Sequence, residues 1–222
     1  MRALAKQRWT AWSAAIVLVG VGALAASTSC TGVTSRPSAG ISTLRSSSTA
    51  QAQKLPETAK NLDFEASATP AGGPQDWGGG GEGYEITPDD KAAHGGKQCG
   101  RVAYIGESAP KLNAFGTLTQ GISAEAYRGQ RVRYTGYVRT EKVEGRGVGL
   151  WLRVDGPPEG KPLAFDNMQT SRRAITGTTD WKEYEIVLDV PKEATAIYFG
   201  MLLTGKGTAW VDDLKLEAVG SK

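Results

Sequence analysis

Arg131-Val-Arg-Tyr-Thr-Gly-Tyr-Val-Arg-Thr140 and, after a glycine-bearing interval, Val148-Gly-Leu-Trp-Leu-Arg-Val-Asp155 both alternate with a period of two. Successive side chains of a strand point to opposite faces, so this pattern predicts two half-buried strands. In the second, Leu150, Leu152 and Val154 share one face, and Trp151, Arg153 and Asp155 share the other. In the first, Arg133, Thr135, Tyr137 and Arg139 lie together. Pairing the two as a hairpin through Glu141–Gly147 would set Tyr137 and Arg139 beside Trp151, Arg153 and Asp155. An aromatic plate ringed by fixed donors and acceptors suits a polyhydroxylated ligand. The ring stacks on the C–H face of a sugar, and Arg and Asp bond its hydroxyls. The alternative is a plain solvated sheet face carrying an exposed Arg153–Asp155 pair.

Further short β-type runs lie at Leu62–Ala66, Gly83–Thr87, Gly100–Ile105, Phe115–Gln120, Pro162–Asn167, Glu183–Val190, Thr195–Leu203 and Thr208–Leu216. Gly-, Pro- and Asp-rich turns separate them, as at Gly156-Pro-Pro158 and Gly205-Lys-Gly207. Many short strands with close turn signals predict an all-β chain, an antiparallel β-sandwich or jelly roll. Ser123–Tyr127 has room for one helical turn. Asp166 and Asn167, ending an apolar run, are further ligand candidates or turn caps. Trp181 and Trp210 read as sandwich core, while Trp77 sits in a loop too glycine-rich to assign.

Charge divides the chain. The first 54 residues hold six of its 26 bases and none of its 23 acids, so the basic excess belongs to the leader. That argues against a nucleic-acid partner. The basic stretch Arg2–Arg8 precedes the apolar run Ala14–Ala26, which fits an export signal and is short for a bilayer span. Residues 1–30 are therefore expected to be a signal peptide or lipoprotein-type leader, with an uncleaved anchor as the other option. Cys30 is the candidate for lipidation, although Ser27 occupies a position where such signals usually carry Leu. Membrane attachment would come only through that lipid or leader. Residues 31–59, rich in Ser, Thr and Ala, are expected to be a flexible linker, leaving residues 60–220 for a single domain. Cys99 is expected to be structural.

The domain is bracketed by Asn61-Leu-Asp-Phe-Glu65 and Ala209-Trp-Val-Asp-Asp-Leu-Lys-Leu-Glu217. An opening N-x-x-F-E with a closing W-V-D-D-x-x-L resembles the carbohydrate-binding-module type of β-sandwich, in the galactose-binding-domain-like group. That resemblance implies a domain that binds without turnover. It also implies a structural calcium between the chain ends, on Glu65, Asp212 and a backbone oxygen near Lys97, where carboxylates plus carbonyls would supply the oxygen ligands calcium needs. The run 149–156 with Phe165–Asn167 is similar to accessory sandwich domains of bacterial peptidases, esterases and regulators.

Enzyme motifs fail one by one. Gly78-Gly-Gly-Gly-Glu-Gly83 matches G-x-G-x-x-G without a βαβ unit around it. Gly200–Gly207 approaches a phosphate loop but has Gly207 where Ser or Thr is required. His94 is the sole histidine, and no nucleophile elbow accompanies it. One His and two distant Cys make no zinc site. Only a carboxylate pair such as Asp155 with Asp166 leaves a glycosidase route. The sequence therefore predicts an exported, non-catalytic module for a carbohydrate or similar polar ligand. The alternative is a structural or protein-interaction module with an envelope-protein partner.

Overall fold

The computed structural model describes residues 54–158 and 161–221. The leader, Cys30, and linker residues 31–53 lie outside them. Eight strands follow in order: β1 (Gly78–Gly80), β2 (Tyr84–Asp89), β3 (Cys99–Tyr104), β4 (Gly116–Ser123), β5 (Gln130–Gly156), β6 (Lys161–Asn167), β7 (Ile175–Asp189) and β8 (Ala196–Ser221). The only helix among the described residues is a 3-10 turn at Glu125–Tyr127.

β5 and β8 organise everything else. They pair antiparallel along their whole length, from Gln130↔Ser221 to Asp155↔Ala196. Halfway along, the register slips between Glu141 and Glu144 and again between Gly145 and Gly147. Bulges of this kind bend and twist a strand. Gly205 stands at this corner with φ 119°, and a Cβ there would lie 1.9 Å from the Glu144 carbonyl oxygen. Only glycine fits such a position. The Tyr84 hydroxyl fixes the corner, donating to the Gly205 carbonyl at 2.9 Å and accepting from its N–H at 3.0 Å.

The bend folds one continuous sheet onto itself. The first layer runs β1, β4, the first half of β8, the second half of β5, then β6. The second runs β2, β3, the second half of β8, the first half of β5, then β7. All pairings are antiparallel. Val132, Tyr134 and Val138 of one layer share a core with Leu150, Leu152, Val154 and Phe199 of the other, and the Tyr134 and Phe199 rings lie 5.2 Å apart. The molecule is the antiparallel β-sandwich that alternation predicts.

Several expectations are corrected. Residues 131–140 and 148–155 do not pair as a hairpin. They are two halves of one strand, because β8 supplies a partner to both and the interval 141–147 is a corner rather than a turn. Leu62–Ala66 forms no strand; Asn61 and Phe64 take φ 48° and 57° instead. The compact unit that holds the sandwich starts at Lys54. Residues 54–64 form a strap over the sandwich edge, in which Ser123 N–H donates to Pro56 O, Lys60 exchanges hydrogen bonds with the Gln120 amide, and Leu214 N–H donates to Leu62 O. Trp77 belongs to the core, stacked on Phe64 at 5.2 Å and edge-on to Phe199 at 5.8 Å. The glycine tract around it contains β1, whose Gly79 approaches Thr117 too closely for any side chain.

Candidate functional site

The faces of β5 are as alternation places them. Leu150, Leu152 and Val154 point into the core, and Trp151, Arg153 and Asp155 point out of the first layer. The register extends this face across four strands. Asn167, Trp151, Gly200 and Thr119 form one row; Phe165, Arg153, Tyr198 and Gly121 form the next. Trp151 lies across β8 at Gly200, and its indole N–H donates to the Thr117 hydroxyl of β4 at 3.2 Å. Tyr198 lies across Gly121 in the same way, its ring 2.7 Å from where a Cβ would stand. Gly121 thus leaves the Tyr198 ring room to lie along the sheet, while Gly200 is held as glycine by the close backbone of Leu118 on β4. Phe165, on the edge strand, is 50% exposed.

The Arg153 guanidinium donates to the Asp155 carboxylate at 2.6 Å. The Asp155 side chain is only 6% exposed, so this pair is a fixed feature of the face rather than a loose surface contact. Asn167 sits in the Trp151 row, but its side-chain Oδ1 accepts the Thr170 N–H at 2.7 Å, the turn-capping alternative. Asp166 leaves the face. It pairs with Arg173, which also donates to the Glu185 carbonyl of β7 at 2.7 Å and so ties the two layers at their edge. Asp155 and Asp166 therefore address different sides of the sheet, and the expected carboxylate pair does not form.

Tyr137 and Arg139 lie on the other outer face, that of the second layer, because the corner separates them from Trp151. The expected joint site is split in two. The Arg139 guanidinium carbon stands 5.2 Å from the Trp210 ring centroid. Tyr137 is covered by His94, stacked at 3.8 Å, and Trp181 meets His94 edge-on at 5.6 Å. Trp210 is buried, but in a satellite cluster with Ala92, Cys99 and Trp181 under the loop before β3, not in the main core. Its indole donates to Asp89 at 2.9 Å. Burial pushes the Asp89 carboxyl up, but that bond, the Lys91 N–H and Arg101 outweigh it and hold the group below its ordinary value. Burial pushes the Cys99 thiol up to about 12, so it is an inert packing group.

The expected calcium ligands converge on one loop, yet they are engaged by N–H groups. Glu65 accepts from the backbone of Lys97 at 2.7 Å and Gln98 at 3.0 Å, which lowers its pKa. Lys97 thus presents its N–H to Glu65. Asp212 is fully buried and accepts three backbone N–H bonds, from His94, Gly95 and Asp213. Burial raises its pKa despite those bonds. Asp213 takes the His94 ring at 2.7 Å. Asp212, with N–H donors on both oxygens, does not fit a cation, and no cluster of three or more metal-binding side chains stands among the described residues. These acids act as clamps on residues 94–98.

Tyr198, Phe165, Thr117 and the glycines Gly121 and Gly200 were not legible as site residues. Tyr198 sits in Ala-Ile-Tyr-Phe-Gly-Met-Leu-Leu, where apolar neighbours on both sides hide the alternation.

No family model matches the chain. Among curated proteins it is similar to YbfP of Bacillus subtilis (strain 168), described as an uncharacterized HTH-type transcriptional regulator, with 38% identity over 136 residues. The match covers 61% of this chain and 44% of the regulator, so the chain spans less than half of that protein's length. Its neighbours among solved structures include carbohydrate-binding modules. One is the CBM22-1 xylan-binding domain of Paenibacillus barcinonensis Xyn10C, at 14% identity and TM-score 0.45, covering 72% of this chain and 94% of that one. Another is TmCBM61, solved with beta-1,4-galactotriose, at 19% identity and TM-score 0.46, covering 72% and 97%. A third neighbour is the enzymatically active domain of tailspike protein 4 of bacteriophage CBA120, at 12% identity and TM-score 0.49, covering 65% and 20%.

Proposed function

We propose that this chain is a non-catalytic, exported binding module whose first-layer face takes a neutral carbohydrate. The observation that carries this reading is the pair of rings, Trp151 reaching to Thr117 and Tyr198 laid over Gly121, with the Arg153–Asp155 pair beside them. A pyranose offers an apolar C–H face to such rings and hydroxyls to the rim. The groups that chemistry would need are committed elsewhere: His94 to Tyr137 and Asp213, Cys99 to packing, and Asp166 to Arg173. Export is supported by the basic and apolar order of residues 2–26.

The regulator relative favours ligand reading of the same kind. Only residues 1–53 lie outside the folded unit, so most of the 136 matched positions must fall on the sandwich. A helix-turn-helix is built of helices, and the described residues hold one 3-10 turn. The shared part is thus largely the sandwich. A second reading, docking of an envelope protein, is favoured by the half-exposed Phe165 on the edge strand β6.

The test is an oligosaccharide array followed by titration of hits. Trp151→Ala is expected to weaken binding at least tenfold, about 1.4 kcal/mol. Equal binding by the wild type and Trp151→Ala would remove the face. Sugar release abolished by Asp155→Asn would turn the reading to an enzyme. A blank array with a defined envelope protein retained through Phe165 would favour the second reading.

A further inference from the structure

We infer that the opposite face of the sandwich holds a second, independent site, centred on Arg139, which takes the carboxylate of an acidic saccharide. Of the five other arginines on strands, all but Arg146, which is exposed at the corner, have a carboxylate. Arg101 pairs with Glu85 at 2.7 Å, Arg131 with Asp189 at 2.8 Å, Arg133 with Glu217 at 3.2 Å and Arg153 with Asp155 at 2.6 Å. Arg139 is half-buried and lies over the Trp210 indole, with no ion pair or hydrogen bond among the described residues. A guanidinium on an indole is oriented by the ring while its N–H fork stays available, and that fork matches a carboxylate in a bidentate geometry.

The nearby acids do not answer this charge, because each is engaged by another group. Asp212 accepts three backbone N–H bonds, Asp213 holds His94, Asp89 holds the Trp210 indole, and Asp180 accepts the N–H of Trp181. Across β5 the register places Asp180 and Trp181 opposite Arg139, between the pairs Val138↔Lys182 and Thr140↔Thr179. A half-buried indole therefore borders the guanidinium and offers a surface for a sugar ring. The choice of a saccharide rests on the function proposed above. The preference for an anion rests on Arg139 alone.

The probe is a galacturonic acid trimer, titrated calorimetrically into the full chain beside its methyl ester, in which each carboxylate is replaced by a neutral methyl ester. The acid is expected to bind at least tenfold more tightly than the ester. Arg139→Gln should erase that difference, Arg139→Lys should retain part of it, and Trp151→Ala should leave it intact. Melting curves matching the wild type exclude misfolding, and Arg139→Lys carries the test if Arg139→Gln is unstable. Equal affinity for acid and ester in the wild type overturns the inference, as does a preference that survives both Arg139 variants. Loss of the preference in Trp151→Ala overturns it too, by moving the site to the other face. Neutral-sugar binding that depends on Trp151 is read separately, so either site can fail without the other.

Discussion

Tyr134 places a phenol hydroxyl in the core with no hydrogen-bond partner among the described residues, and burial raises its pKa. An unmet buried hydroxyl costs roughly 1–3 kcal/mol. Tyr134→Phe keeps the ring against Phe199 and removes that cost, so it is expected to stabilise the protein by about 1 kcal/mol in urea unfolding. A loss of stability would show that the hydroxyl is satisfied. The loop clamps give a pH prediction with two opposite signs. The pKa of Glu65 is depressed, so its contribution is present above the ordinary carboxylate value and disappears as pH falls through the lowered one. The pKa of Asp212 is raised, so its ionised form is a burden that protonation relieves as pH falls. Glu65→Gln should therefore lower Tm near neutral pH, and the difference from the wild type should shrink as pH falls through the depressed Glu65 value. A difference constant across that range would rule out the Glu65 carboxylate as a charged clamp.

At the scale of elements, the corner matters most. Gly205→Ala adds a Cβ at 1.9 Å from the Glu144 carbonyl oxygen in a backbone conformation only glycine accepts. It is expected to cost at least about 2–3 kcal/mol by chemical denaturation. Tyr84→Phe, which removes both hydroxyl bonds to Gly205, should cost about 1–2 kcal/mol. A neutral Gly205→Ala would mean the bend is not built there. The same corner shows what was legible. Period-two alternation separates inward from outward side chains within each half of β5, because pleating dictates that locally. Whether 141–147 turns back or bends on depends on β8 lying alongside, sixty residues later. Glycine pairs signal both outcomes equally, so the sequence sets Tyr137 and Arg139 beside Trp151, whereas the corner carries them to the other face. Glu65 and Asp212, expected as calcium ligands, take N–H donors from residues 94–98, a segment with no pattern of its own.

At the scale of the molecule, the two layers share their two central strands. β5 gives residues 130–141 to one layer and 148–156 to the other, and β8 does the same in reverse. If one layer melted, the other would keep its pairing but lose the core face it packs against, exposing Phe199, Leu152 and Val154. The strap adds a second coupling, since Phe64 is fully buried beside Trp77 while its neighbour Leu62 accepts from Leu214. Folding should then be all-or-none. Native-state hydrogen exchange provides the measurement. Amides around Tyr134 and around Leu152 are expected to open with the same free energy, within about 1 kcal/mol, while the edge strands β1 and β6 open more easily. Two separate tiers for the halves of β5 would mean that the corner works as a hinge between independent layers. In that case the Trp151 and Arg139 faces would need to be treated as sites on separately stable units.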